Sequence, residues 1–167
     1  MYKHIADFAS EWQQESGRTA RLLDALTDAS LAQPVADDHR TLGRIAWHIV
    51  LTIGEMLSKT GFRTTSVAED APVPATAAEI AAAYRAAATE AGQMVELNWT
   101  DATLSVEDNM YGQKWPRGMT LAALINHEIH HRGQMTVLMR QAGLKVPGIY
   151  GPSRDEWTAF GMTPPAL

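Results

Sequence analysis

Four stretches of this chain repeat apolar residues every three or four positions, and that period restricts the chain to packed helices. In the first, from about Lys3 to Asp28, Ile5, Phe8, Trp12, Thr19, Leu22, Leu23 and Leu26 fall on one stripe. The second follows Thr41, a residue suited to capping a helix N-terminus. It turns Leu42, Ile45, Ile49, Ile53, Met56 and Leu57 inward and ends near Thr60, where Gly61 is a natural stop. The third opens on Thr76-Ala-Ala-Glu79, a capping box whose two side chains satisfy orphan N–H groups, and runs to about Asn98. The fourth extends from Leu121 to Gln141, with Gly143 placed just past its end. A second capping box, Ser153 to Glu156, predicts a short helix to Phe160 before Pro164 and Pro165.

No segment of four to eight residues alternates as a strand does, so the expected fold class is all-α, a four-helix bundle. Residues 62–75 hold Pro72 and Pro74 and no periodicity, which predicts a long crossover between helices two and three. Trp99 to Met119 reads as a second irregular link. At 167 residues and 46% hydrophobic content, the chain fits a single domain over residues 1–167.

Several function classes fall away on composition. No apolar run is long enough for a bilayer, and Met1 to Ser10 carries Lys3, His4 and Asp7 where a signal sequence is apolar. The expectation is therefore a cytoplasmic protein without a membrane partner. Net charge is −5 and no Lys/Arg run occurs, which argues against nucleic acid. The absence of cysteine removes disulfides, thiolate ligands and a protein thiol nucleophile, so any thiol chemistry needs a thiol supplied from outside.

The chemistry concentrates in histidine. At about 100° per residue, His127 and His131 lie about 40° apart on one helix face, one turn above the other, which is metal-ligand spacing. The inward stripe of that helix is Leu124, Glu128, His131, Met135 and Leu138; His130 falls about 100° away and is left out. Two imidazoles from one helix hold an ion weakly, and His48, at the edge of the second helix's apolar stripe with Arg44, Thr52 and Glu55, is the candidate third ligand. Three protein ligands leave positions open for water or substrate. The string His127-Glu-Ile-His-His131 also satisfies H-E-x-x-H, in which the glutamate is the general base of a metalloprotease. That reading is disfavoured because Gln134 stands where the longer protease motif needs glycine, and because no strand precedes the helix to pair with a peptide.

Arg40-Thr-Leu-Gly-Arg-Ile-Ala-Trp-His48 together with Leu124-Ile-Asn-His-Glu-Ile-His-His-Arg-Gly-Gln134 resembles the DinB/YfiT-like superfamily across the whole chain. The resemblance implies a four-helix bundle, often a homodimer, binding zinc or nickel through His48, His127 and His131. It further implies a metal-dependent enzyme, with S-transfer from a low-molecular-weight thiol to an electrophile ahead of hydrolysis. A metal-stabilised binding protein without turnover is the non-enzymatic alternative. Glu55 and Glu128 are candidates for orienting the site or serving as its base; Arg132 and Gln134 for ordering the histidine motif; and Tyr111 and Trp115 for lining the pocket from the loop.

Overall fold

Each helix begins where a side chain can take up the free N–H groups of its first turn. The computed structural model describes every residue except Glu69 and Leu167. In it, Thr41 accepts a hydrogen bond from Arg44 N at the start of α2, Leu42–Ser58, and Thr76 and Glu79 close the expected capping box on α3, Ala77–Asn98. The other two long helices are α1, Ile5–Asp24, and α4, Arg117–Gln141. Gly61 and Gly143 take the left-handed φ of +91° and +77° that stops a helix, as their positions predict.

α1 packs on α3 and α4, and α2 packs on the same two, so α1 and α2 face each other across a diagonal. Side-chain pairings set the directions. Trp12 Nε1 donates to Ala88 O at 2.9 Å while Ala77 N donates to Asp28 at 2.8 Å, so α1 and α3 run oppositely. Tyr2 N meets Gly118 O at 3.0 Å and Arg132 meets Glu15 O at 2.7 Å, so α1 and α4 run together. The end of α2 lies at the start of α4, where Arg117 reaches Thr60 O at 3.2 Å. α2 and α3 are therefore parallel, and residues 62–75 carry the chain back along the bundle between them. Trp47 Nε1 donating to Ala71 O at 2.9 Å, and Glu90 accepting from Thr65 N and Ser66 N, tie that crossover down.

Phe8, Leu22, Leu42, Ile49, Ile53, Leu57, Ile80, Leu121 and Ile125 are fully buried, each contributing about 1.5–3 kcal/mol by leaving water. The alanines of α3 let Trp12 settle against Gly92, where a Cβ would sit 3.2 Å from the indole.

Three local expectations need correction. The link from Trp99 to Met119 is largely regular: a 3-10 turn, Asp101–Ser105, precedes an antiparallel hairpin of β1, Glu107–Met110, and β2, Gln113–Pro116. The turn joining them is Tyr111-Gly112, both at positive φ (+55° and +84°), the two-residue turn that suits a hairpin's twist. α4 accordingly starts at Arg117, four residues earlier than its apolar stripe suggests. The chain after α1 also bends earlier than expected, into a 3-10 turn over Asp28–Ala32. The short tail helix expected after Ser153 is present over Arg154–Phe160, in 3-10 form.

Candidate metal centre

Because α2 and α4 lie side by side and antiparallel, a residue in the first half of α2 meets residues near the middle of α4. His48, His127 and His131 are brought together there, each offering one nitrogen, with all three nitrogens within 4.8 Å of one another. Their rings pack edge to face, with centroids 4.8 Å apart for His48 and His131 and 4.4 Å for His127 and His131. Three nitrogens around one ion at about 2.0–2.1 Å would stand roughly 3.3–3.5 Å apart, so the cluster needs only a small closure to hold a divalent metal. An all-imidazole set suits zinc, nickel or copper in preference to magnesium or calcium.

Electrostatics prepare these nitrogens as ligands. Burial disfavours the imidazolium forms, and nearby positive charge, Arg40 for all three, lowers them further; His48 and His127 fall to about 4, and His131 also falls below its ordinary value. At neutral pH the rings are uncharged and keep the lone pairs a metal needs. His131 Nδ1 lies 2.7 Å from Gln134 Oε1, an acceptor, which assigns the proton to Nδ1 and leaves Nε2 free. That Nε2 lies 3.1 Å from His127 Nε2, a hydrogen bond that a shared ion would replace. Gln134 in turn points its amide nitrogen at His130 Nε2, 3.1 Å away. His130 thus lies outside the cluster, as helical phase predicts, yet it braces the glutamine that orients His131.

The other site candidates spread over three places. Glu128 points into the core: it is 1% exposed, and neither carboxylate oxygen makes a hydrogen bond to a histidine or to any other described residue. Burial pushes its carboxyl up to about 7, although Tyr84 and Arg132 act in the opposite direction. The absence of a strand does not disfavour the protease reading, because the hairpin directly precedes α4. What counts against it is this burial of Glu128, together with a third ligand that comes from upstream in the chain. Arg132, 2% exposed, holds Glu15 through the carboxylate and the backbone carbonyl, and Tyr150 from the tail donates to the same carboxylate at 2.6 Å. Burial alone would raise the Glu15 carboxyl, but Tyr150 and Arg132 hold it below the usual range. This Glu15–Arg132–Tyr150 network locks the histidine-bearing turn of α4 to α1. Nothing in the spacing of the sequence marks its members as partners.

Glu55, two turns beyond His48, pairs with Lys59 at 3.6 Å, and Lys59 lies over the Tyr111 ring. Tyr111 and Trp115 pack on each other at the hairpin, with ring centroids 6.0 Å apart. They do not line the cavity that opens beside His131. That cavity, about 560 Å3, is bounded by Val35, His39, Arg40, Ile45, Gln134 and Val137 among others. Neither the size of this space nor its wall of residues from the loop before α2 is visible in helical periodicity.

Among the described residues no helix is long and apolar enough to cross a membrane. Comparison with known proteins agrees with the fold. Residues 1–165 match the profile of the DinB family. The Bacillus subtilis (strain 168) protein YrdA, described as uncharacterized, is 47% identical over 167 residues, the full length of both chains. A crystal structure of a DinB-like protein from Bacillus cereus ATCC 10987 superposes with a TM-score of 0.86 at 47% identity, covering 90% of this chain and all of the other. A second DinB-like protein, from Bacillus subtilis, shares the fold at 17% identity, with a TM-score of 0.68 over 86% of this chain and 97% of its own.

Proposed function

Since the chain belongs to the DinB family, we propose that its three histidines hold one zinc or nickel ion and that the protein transfers a low-molecular-weight thiol to an electrophile. The observation that carries the reading is the convergence of three uncharged imidazoles beside a cavity large enough for a small substrate. An ion held there would supply Lewis acidity, lowering the pKa of a thiol sulfur brought to its open position. The S–H proton passes to solvent, the sulfur forms the new S–C bond, and the leaving group departs with its bonding pair.

The protein's part is to position. Gln134 fixes the His131 ring, and the Arg132–Glu15 pair holds the turn that carries both α4 histidines. Glu55 and the Tyr111–Trp115 pair lie beyond His48 along α2 and at the hairpin, outside the walls of that cavity, and carry no catalytic role in this reading. Thiol transfer is favoured over hydrolysis because, among the described residues, no free carboxylate stands beside the histidines to assist attack by a metal-bound water. Glu128 is turned into the core, and Asp38, the acid on the cavity wall, is engaged with His39 at 2.6 Å. A thiolate needs no such base.

The test uses zinc- and nickel-loaded protein with bacillithiol, mycothiol, glutathione and coenzyme A against chlorodinitrobenzene and monochlorobimane. Adduct formation that requires both thiol and metal is expected. Metal-dependent ester or amide hydrolysis indifferent to every thiol would replace S-transfer with hydrolysis.

A further inference from the structure

We infer that the cavity beside His131 selects ligands carrying a carboxylate, held by Arg40, with an apolar arm along Val35, Val137 and Leu138 and the reacting end at the histidine cluster. The inference rests on the proposed thiol reading for the identity of that reacting end only.

The volume of about 560 Å3 falls within the range of small-molecule pockets. Its walls carry both polar and apolar side chains. Val35 and Val137, 55% and 56% exposed, flank it, with Ile45 and Leu138 buried behind them. Among its polar residues, Asp38 and His39 satisfy each other, and Gln134 is committed to His131 and His130. Arg40 is different: among the described residues its side chain makes no ion pair. Its charge reaches His48, His127 and His131 alike, which places it within electrostatic range of the whole cluster.

Once an ion occupies the histidines, an unpaired guanidinium beside it is unfavourable, because like charges repel. An anionic group on the ligand removes that penalty. The planar guanidinium fork matches a planar carboxylate through two parallel hydrogen bonds. On a chain of net charge −5, such a local positive field also distinguishes this cavity from the surface around it.

The experiment titrates zinc-loaded protein calorimetrically with 3-mercaptopropionate, with the neutral 3-mercaptopropan-1-ol, and with butyrate, which lacks the thiol. Wild type should bind the mercapto acid about tenfold more tightly than the mercapto alcohol, the scale of one charge-assisted contact. Arg40→Gln should reduce that ratio to about one while keeping its zinc by elemental analysis; Arg40→Lys should restore part of it. Arg44→Gln, in the first turn of α2 and off the cavity wall, should keep the full ratio. Equal binding of the two thiols by wild type, or a preference that survives Arg40→Gln, overturns the inference while leaving thiol binding intact. Butyrate bound in an Arg40-dependent way, with neither thiol bound through sulfur, keeps the inference and removes the thiol reading. No binding of any probe removes both.

Discussion

At the scale of single residues, three imidazoles of lowered pKa make a specific claim about protons. Ordinary histidines near 6.5 would release roughly 1.5 protons between them on binding an ion at pH 6.5. His48 and His127 near 4, with His131 also lowered, should release far fewer than one. Calorimetry at pH 6.5 in buffers of different ionisation enthalpy reads this number, and a value near 1.5 would show that the rings are protonated in the free protein. His48→Ala and His127→Ala should each cost more metal than the about tenfold typical of losing an outer partner, whereas His130→Ala should stay near wild type by elemental analysis. Glu128 behaves in the opposite sense to the histidines. Its folded pKa of about 7 exceeds the unfolded value of 4.5, so the stability it contributes is complete below about pH 4.5 and is lost as pH rises through 7. Glu128→Gln lacks that slope. In metal-free protein the variant should gain on wild type by on the order of 3 kcal/mol between pH 4 and pH 8 in urea unfolding; parallel curves would place the carboxylate in water.

Among the elements, the helices were the legible part, because their caps and stripes are local and redundant. Thr41, Thr76 with Glu79, Gly61 and Gly143 each do what their residue type predicts. The histidine pair on α4 was legible for the same reason, since phase along one helix needs no tertiary information. The hairpin was not. Its turn places Tyr111, not asparagine or aspartate, at the first left-handed position, and the residues of its four-residue strands show no apolar alternation, although Asp108 and Met110 turn inward: of β1 only Met110 is apolar, and it is fully buried. What holds it is tertiary: Arg117 bonds Asp108 across the hairpin at 2.9 Å and lies over the Trp99 ring. Arg40 and Tyr150 were equally hidden, because their roles arise from loops returning to helices far away in sequence. Gly112→Ala forces a Cβ into φ +84°, which should cost about 1 kcal/mol in urea unfolding. Metal content should be unaffected; a variant as stable as wild type would show that the turn is not held at positive φ.

For the whole molecule, the question is whether the ion or the core maintains the fold. The core is apolar and continuous through all four helices, so removing metal with a chelator should leave most helical circular dichroism in place. Collapse of the signal would instead mark the ion as structural. The arrangement of α2 and α4 carries one more consequence. His127 and His131 close only a single helical turn, but His48 lies 79 residues before His127, on a helix whose chain must cross the bundle and return before α4 begins. An ion shared by all three is therefore a detachable cross-link over a loop as long as those spanned by many disulfides. Shortening the unfolded chain's freedom over such a loop is worth about 4.5 kcal/mol in the chain-entropy picture. With an ion bound there, a chain without cysteine would gain a staple that chelation, acid or the loss of His48 could undo.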